Sequence, residues 1–245
     1  MYDVIIPARN EESTVADVVT AARAAPGCTT VFVIDDGSTD NTATRAAAAG
    51  AVVVRSSGSK NKGQALATGV DASGSDVLVF FDADILHAHP SHFEALAGPV
   101  IRGPYEMCCG LVDYGSIRGA IFTRLPPITG LRAIRRSVFE AIRENRRNGF
   151  QIEIMINEVV ARGGMPSAIR TLTGADHRSK VQKLGWSRGA MSHMAMTLEL
   201  LNCFRFVPLW TYGSYLRQLT VLAPSRRADE AATRGLDQSE LLKES

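Results

Sequence analysis

Short apolar runs alternate with stretches of helical periodicity through the first half of the chain, and this alternation limits the fold more than any other feature. It is typical of βαβ units, in which helices join parallel strands and cover the sheet. The sequence therefore predicts an α/β fold with a mainly parallel sheet and flanking helices. The predicted strands are residues 4–6, 31–34, 52–54 and 77–81, and the predicted helices are 15–25, 42–49 and 64–72.

Composition narrows the class of protein. The chain has 245 residues, of which 45% are apolar and 21% charged, so most of it is expected to form a globular domain. Lys and Arg total 27 against 25 Asp and Glu, a balance that argues against a nucleic-acid partner. Four cysteines without a CxxC spacing, and an N-terminus without signal-peptide features, predict a cytoplasmic protein.

The second half of the chain lacks the regular alternation of apolar runs and helical stretches. Residues 107–112 are predicted as a strand, 113–127 as a turn-rich segment and 170–185 as a polar, flexible loop. Helices are predicted at 137–145 and 151–161. We expect a catalytic domain at 1–185, a C-terminal helical segment at 186–223 and a disordered tail at 224–245.

The C-terminal helical segment carries apolar residues at helical spacing, among them Met191, Met194 and Leu198. The spacing predicts an amphipathic helix. Packing on the domain or on a second copy of the chain is the preferred interpretation, and contact with a membrane surface is the alternative. No apolar run reaches the length of about 18 residues that a membrane span needs.

Acidic residues follow two of the predicted strands. Asp82 and Asp84 come directly after the most apolar strand, and their two-residue spacing places both on one face. Such a carboxylate pair suits a hard divalent cation, although a solvated turn would look the same. After the second strand, Asp35 and Asp36 precede a glycine, and an acid here can accept hydrogen bonds from a base or ribose.

A loop with two glycines, Gly58 and Gly63, contains two lysines and precedes a predicted helix. Gln64 and Ala65 stand where a P-loop requires Lys and Ser or Thr, so this is not a P-loop. Lys62 and the backbone amides nevertheless offer donors to a phosphate, and a solvated surface turn is the alternative.

Taken in order, the segments 7–12, 35–42, 62–66 and 82–84 resemble the motifs of family-two-like glycosyltransferases with the GT-A fold. Glucosyl- and mannosyl-3-phosphoglycerate synthases and polyprenyl-phosphate glycosyltransferases are related. The resemblance implies a nucleotide-sugar donor and a Mg²⁺ or Mn²⁺ ion. The residues that it implies for donor binding are Pro7, Ala8, Arg9, Asn10, Glu11, Asp36, Gly37, Ser38, Lys62, Gly63, Asp82, Ala83, Asp84, Gly130, Arg178 and Lys180.

The same resemblance implies a metal site and a sugar-binding region. Asp84, Asp82 and a late histidine, His177, are the implied metal ligands. Three histidines that closely follow the acidic pair are instead interpreted as loop and helix-cap residues. The candidates for contact with the sugar or for acceptor activation are Glu153, Asp113 and Arg132, and the three capping histidines are His87, His89 and His92.

The resulting hypothesis is a glycosyltransferase that moves a sugar from a UDP- or GDP-sugar to a small soluble acceptor. The segment before Gly130 is shorter than in the phosphoglycerate synthases, which argues against that acceptor. Transfer to a polyprenyl phosphate at a membrane surface, nucleotidyl transfer and a non-catalytic nucleotide-binding module are the alternatives. A nucleotidyltransferase is expected to carry a glycine-rich loop after the first strand, and residues 7–11 contain no glycine.

Overall fold

The computed structural model describes residues 1–56, 61–112, 128–142, 151–177 and 209–222. Ten strands and seven helices lie within these residues. The strands are β1 (Tyr2–Ala8), β2 (Cys28–Asp35), β3 (Val52–Arg55), β4 (Val77–Phe80), β5 (Ile85–Leu86), β6 (Met107–Val112), β7 (Arg132–Arg135), β8 (Ser167–Leu172), β9 (Asp176–His177) and β10 (Leu219–Val221). The helices are α1 (Val15–Arg23), α2 (Thr42–Ala48), α3 (Lys62–Ala72), α4 (Pro90–Arg102), α5 (Arg136–Glu140), α6 (Gln151–Arg162) and α7 (Leu209–Gln218).

Eight strands form one sheet in the order β10-β8-β6-β7-β4-β1-β2-β3. All neighbouring strands in it are parallel except β7, which runs antiparallel to both β4 and β6. The mainly parallel sheet predicted from the sequence is thus confirmed. Because β7 runs the opposite way, it begins at the edge where β1, β2, β4 and β6 end.

Helices cover both faces of the sheet. One face packs against α1, α2 and α4, with Val18 and Phe93 fully buried there. The other packs against α3, α5, α6 and α7, and Phe139 and Tyr215 are each 1% exposed. Neighbouring residues of β1 point into opposite layers, which explains why this strand is apolar at nearly every position.

Several predicted elements agree closely with the structure. The strand at 107–112 has the predicted limits, and α6 extends one residue beyond the predicted helix at 151–161. The helix predicted at 137–145 is α5, which ends at Glu140, and residues 143–145 lie outside the described part. Gly50 follows α2 with φ of 93°, the left-handed conformation expected just after a helix.

The prediction of a flexible loop at 170–185 is wrong at its start. Residues up to Leu172 belong to β8, and Asp176 and His177 form β9. Ala168, Ile169 and Leu172 are buried, because β8 lies inside the sheet between β6 and β10. Arg170 and Thr171 made the segment look polar, but a strand inside a sheet needs apolar residues only where its side chains meet the core.

The described part of the C-terminal helical segment packs on the domain. Helix α7 lies against α6, and β10 extends the sheet beside β8. Residues 186–208 and the predicted tail at 224–245, including the apolar positions from Met191 to Leu198, lie outside the described part.

None of the helices in the described residues combines the length and apolar character that a bilayer span requires.

Candidate active site

The segment after β4 presents its two acids to solvent. Phe81, Ala83 and Ile85 are at most 3% exposed, whereas Asp82 and Asp84 between them are partly exposed. Burial therefore alternates beyond the end of the strand, although residues 83 and 84 form a turn. Asp82 and Asp84 are the accessible positions of this segment, as the two-residue spacing predicts.

Lys62, the first residue of α3, lies between two carboxylates. Its Nζ is 2.8 Å from Asp82 Oδ1 and 2.9 Å from Glu153 Oε1. Glu153 is in the first turn of α6 and only 5% of its side chain is exposed. We call Lys62, Asp82 and Glu153 the ion-pair cluster. Three separate elements of the sequence thus meet at the sheet edge where the parallel strands end.

Opposing effects act on the ammonium group of this cluster. Burial by itself would lower the pKa of Lys62, but the carboxylates of Asp82 and Glu153 outweigh burial and hold the pKa above its ordinary value. Lys62 is therefore charged at neutral pH. Oε2 of Glu153 is buried and accepts no hydrogen bond from the described residues.

The backbone of Gly130 lies directly against the ion-pair cluster. A Cβ built there would overlap both carboxylate oxygens of Asp82 and lie 2.5 Å from Lys62 Nζ. Any larger residue at this position would have to displace the ends of the Asp82 and Lys62 side chains. The structure thus gives a steric reason for the predicted importance of Gly130.

Arg132 supports the cluster from inside the protein. Its side chain is 1% exposed, and its Nε donates to the carbonyl oxygen of Thr129 at 3.0 Å. Nη1 lies 3.4 Å from the carbonyl oxygen of Glu153 and 3.3 Å from Asn157 Oδ1. The guanidinium therefore links the turn before β7 to the start of α6, which fixes the backbone on which Glu153 is placed.

The backbone of His177, the predicted third metal ligand, lies close to Asp84. Strands β5 and β9 pair with Ile85 opposite His177, so His177 lies beside the residue that follows Asp84. Within the described residues, no cluster of three His, Cys, Asp or Glu side chains is arranged to hold a metal ion. The His177 side chain and the whole of Asp113, Arg178 and Lys180 lie outside that description.

A second group of predicted residues forms the loops after β1 and β2, residues 9–12 and 36–42, which we call the loop pair. Asn10 has φ of 54°, and its Oδ1 accepts a hydrogen bond from the amide of Thr39 at 2.8 Å. The amide of Glu11 donates to Thr42 Oγ1 at 2.8 Å. Gly37 has φ of 77°, which permits the tight turn predicted there.

Asp36 connects the loop pair to the ion-pair cluster. This buried carboxylate accepts hydrogen bonds from Ser56 Oγ at 2.5 Å and from the amide of Asn61 at 3.0 Å. Asn61 also caps α3 by accepting from the Gln64 amide at 3.3 Å. Since Lys62 comes next in the chain, the carboxylate of Asp36 helps to set where the ammonium group lies.

Pro7 and Ala8 belong to β1, and Gly63 is buried at the start of α3 beside Lys62. Arg9 Nη1 lies 3.4 Å from the carbonyl oxygen of Asp36, and the amide of Asn10 donates to Ser38 Oγ at 3.1 Å. Arg9 and Asn10 thus bind the loop after β1 to the loop after β2.

Two of the three histidines cap α4, in agreement with the sequence interpretation. His89 is the N-cap residue, and its Nδ1 accepts from the Ser91 amide at 3.3 Å. The amide of His89 in turn donates to Nδ1 of His92 at 3.2 Å. His87 is exposed and has φ of 57°.

Sequence reasoning missed residues that hold the predicted ones in place. Asn61 could have been found, because it lies three residues before the helix predicted at 64–72 and Asn is a common cap. Ser56 and Asn157 look like ordinary polar residues in the sequence, because their partners lie 20 and 25 positions away. Thr129 was also missed, although its carbonyl oxygen binds Arg132 only three positions later.

Comparison with known proteins adds independent information. The family model for glycosyl transferase family 2 matches residues 3–160. The glucosyl-3-phosphoglycerate synthase of Mycobacterium tuberculosis is 36% identical over 109 residues, which are 41% of this chain and 34% of that protein. The sequence match thus spans about a third of the length of this curated relative.

Solved structures of that synthase have the same fold. A complex with Mn²⁺, UDP and glucosyl-3-phosphoglycerate matches with a TM-score of 0.66 and 27% identity, covering 85% of this chain and 81% of the other. A complex with Mn²⁺, UDP-glucose and phosphoglyceric acid matches with a TM-score of 0.64 and 26% identity, covering 85% and 80%. These findings confirm the resemblance and the GT-A-like fold inferred from the motifs, and the chain belongs to glycosyl transferase family 2.

Proposed function

We propose that this chain is a metal-dependent glycosyltransferase that moves a sugar from a UDP-sugar to a hydroxyl group of a small acceptor. The observation that carries the proposal is the ion-pair cluster at the carboxyl edge of the sheet, with Lys62 held between Asp82 and Glu153. In open α/β sheets this edge is where ligands bind. Family membership supplies the reaction class.

The donor atoms available at this edge suit Mg²⁺ or Mn²⁺. Family membership makes Asp84 the candidate for a direct ligand, and Asp82, whose Oδ1 is bound to Lys62, lies beside it. His177 is the candidate for a further ligand because β9 lies against β5. Carboxylate oxygens with one imidazole match the preference of Mn²⁺ and are compatible with Mg²⁺. Neutralising the departing diphosphate is the chemistry that a bound ion would supply here.

The balance of charge also supports a cation and an anionic donor together. Among the described residues of the site, three acids, Asp82, Asp84 and Glu153, are accompanied by two cations, Lys62 and the buried Arg132. This excess of negative charge would repel a diphosphate. A bound divalent cation would make the net charge of the site positive. We therefore expect the nucleotide to bind well only when the metal ion is present.

We expect the nucleoside of the donor to lie against the loop pair. Bonds between the two loops, such as Asn10 Oδ1 with the Thr39 amide, form this surface before any ligand arrives. Each carboxylate oxygen of Asp36 accepts one of the bonds from Ser56 and Asn61 and can accept a further donor from a base. Uridine is the preferred nucleoside because the structurally similar synthase is known in complexes with UDP and UDP-glucose.

Glu153 is proposed to contact the transferred sugar or the acceptor. One of its oxygens is bound to Lys62, and the other is a buried acceptor without a hydrogen bond from the described residues. A buried carboxylate oxygen without a partner is costly, and a hydroxyl donor from a ligand removes that cost. Arg132 acts through Glu153 by fixing the start of α6.

Calorimetric titration with UDP and with GDP, each with and without Mn²⁺, tests the proposal. We expect UDP to bind only when Mn²⁺ is present. We expect Asp84→Asn to abolish this Mn²⁺-dependent binding. Asp71→Asn is the matched control, since Asp71 is an exposed acid on α3. Preference for GDP would correct the donor. Metal-independent binding, or an unaltered titration for Asp84→Asn, would contradict the assignment of the metal site.

Turnover is then tested with UDP-glucose and phosphoglyceric acid, the pair bound in the similar synthase. Release of UDP that depends on the acceptor supports transfer. Metal-dependent UDP binding without release of UDP, with this and other small hydroxyl acceptors, would favour a nucleotide-binding module.

A further inference from the structure

His92 is a buried histidine whose two ring nitrogens both have partners. The side chain is in the first turn of α4 and the residue is 2% exposed. Nδ1 accepts a hydrogen bond from the amide of His89 at 3.2 Å, and Nε2 lies 2.9 Å from the carbonyl oxygen of Thr173. Because Nδ1 is an acceptor, the ring proton is on Nε2, which donates to Thr173.

The two bonds join segments that are far apart in the sequence. His92 and Thr173 are 81 positions apart. On one side, α4 is reached from Asp84 through β5 and the short turn that follows it. On the other side, Thr173 lies between β8 and β9. The imidazole therefore links the polypeptide that carries Asp84 to the polypeptide that carries His177.

The same two segments meet again through β5 and β9, which contain two residues each. A two-stranded sheet of this length is not stable by itself. It needs contacts at its flanks, and these include the burial of Ala175 in the core and the bond from His92 to Thr173. The bond from His92 joins the segment that follows β5 to the segment that precedes β9.

We propose that His92 is a positioning residue for the metal site, holding β9 against β5 through its bond to Thr173 so that His177 stays beside Asp84. This inference rests on the proposed function, because it takes Asp84 and His177 as the metal ligands. Outer residues that orient ligands in this way typically change metal affinity by about 10- to 100-fold when replaced. His92 is expected at the lower end, since Ala175 also anchors β9.

The neutral form of the ring fits this role. Burial lowers the pKa of His92, the bond to Thr173 raises it and nearby His89 lowers it, and the net shift is downward. His92 is therefore neutral at pH 7 and can be an acceptor at Nδ1 and a donor at Nε2 at the same time.

Two substitutions at His92 each remove one of its hydrogen bonds and keep the other. In His92→Asn the amide oxygen takes the place of Nδ1, which keeps the cap of α4 and loses the reach to Thr173. In His92→Gln the amide nitrogen takes the place of Nε2, which keeps the bond to Thr173 and loses the cap. Each variant loses one hydrogen bond, so a purely structural role predicts similar effects for both.

Mn²⁺ titration in the presence of UDP and hydrogen exchange of the metal-free protein are the two measurements. For His92→Asn we expect Mn²⁺ affinity to fall about tenfold and the amides of β5 and β9 to exchange faster. For His92→Gln we expect Mn²⁺ affinity near that of the unmodified chain, with faster exchange confined to the first turn of α4. Equal losses of affinity in both variants, or a larger loss in His92→Gln, would overturn the proposal.

The two measurements together distinguish failure of this inference from failure of the proposed function. If the unmodified chain binds no Mn²⁺, the proposed function fails, and the exchange measurement still decides whether His92 anchors β9. If the unmodified chain binds Mn²⁺ and His92→Asn exchanges at β9 like the unmodified chain, the positioning role of His92 is wrong while the metal site remains.

Discussion

The loop pair and the ion-pair cluster lie at the same edge of the sheet but are held together by different forces. In the loop pair, oxygen atoms accept hydrogen bonds from uncharged amides, as Asp40 does from Thr42 at 3.0 Å. In the ion-pair cluster, one ammonium group balances two carboxylates. The loop pair is held by hydrogen bonds from its own amides to its own side-chain oxygens, whereas the cluster depends on a balance of charge that a ligand or metal ion changes.

This difference predicts different consequences of substitution. Removing an acceptor from the loop pair leaves an amide without its partner, which lowers stability and alters the shape of the surface only locally. Removing a charge from the cluster leaves a carboxylate uncompensated, which disturbs both stability and ligand binding.

The largest effect is expected for Lys62→Met. Asp82 and Glu153 are then left without their shared cation, and we expect kcat/KM for the nucleotide sugar to fall about a hundredfold or more. The free energy of unfolding should fall as well, by up to about 3 kcal/mol. Steady-state kinetics and urea unfolding measure the two effects, with Arg45→Met, at an exposed position of α2, as the control.

The double variant Lys62→Met with Glu153→Gln sharpens this test. Removing one of the two repelling carboxylates should recover part of the lost stability but none of the lost turnover. Recovery of activity in the double variant would mean that Lys62 serves only to neutralise Glu153.

An intermediate effect is expected for Gly130→Ala. The added methyl group must displace the Asp82 carboxylate or Lys62 Nζ, so we expect the loss of about 1–3 kcal/mol of stability that overpacking usually causes. We also expect weaker Mn²⁺-dependent UDP binding in calorimetry. Gly74→Ala is the matched control, because a Cβ there meets nothing within 4 Å. Equal behaviour of the two alanine variants would show that the cluster tolerates displacement.

The smallest effect on function is expected in the loop pair, for Asp40→Ala. Asp40 Oδ1 accepts from the Thr42 amide and Oδ2 from the Glu12 amide, so we expect a loss of about 0.5–2 kcal/mol of stability with nearly unchanged kcat. Asp40→Asn, which keeps an acceptor oxygen, should lose less. A large fall in kcat for Asp40→Ala would remove the distinction between the two regions.

The pH dependence of the Asp40 contribution has a definite sign. Partial burial would raise the pKa of Asp40, but hydrogen bonds from Thr42 and Glu12 more than offset burial and hold it below its ordinary value. The contribution is therefore present above the unfolded pKa of about 3.9 and is lost as the pH falls through the folded value. Unfolding curves of the unmodified chain and Asp40→Ala should thus converge in acid.

Much of the first half of the fold could be predicted, because its signals are local. Apolar runs that become β1, β2 and β4 are bounded by polar turns, and the acids at Asp36 and Asp82 mark where those strands end. The short strands β7 and β10 were missed. Neither contains an apolar run like that of the equally short β4, and what makes them strands is the neighbour with which each pairs.

For the candidate site, the sequence by itself determined the chemical groups and the edge of the sheet where they gather. It placed Asp82 and Lys62 at that edge, since parallel strands end there and helices begin there, and the resemblance to the family added Glu153. Only the tertiary structure decided that Lys62 bridges the two acids, that Gly130 leaves room for them and that Arg132 lies beneath. Those contacts join positions 20 or more residues apart, as in the Lys62–Asp82 pair, and such contacts are fixed by packing, which local patterns in the sequence do not encode.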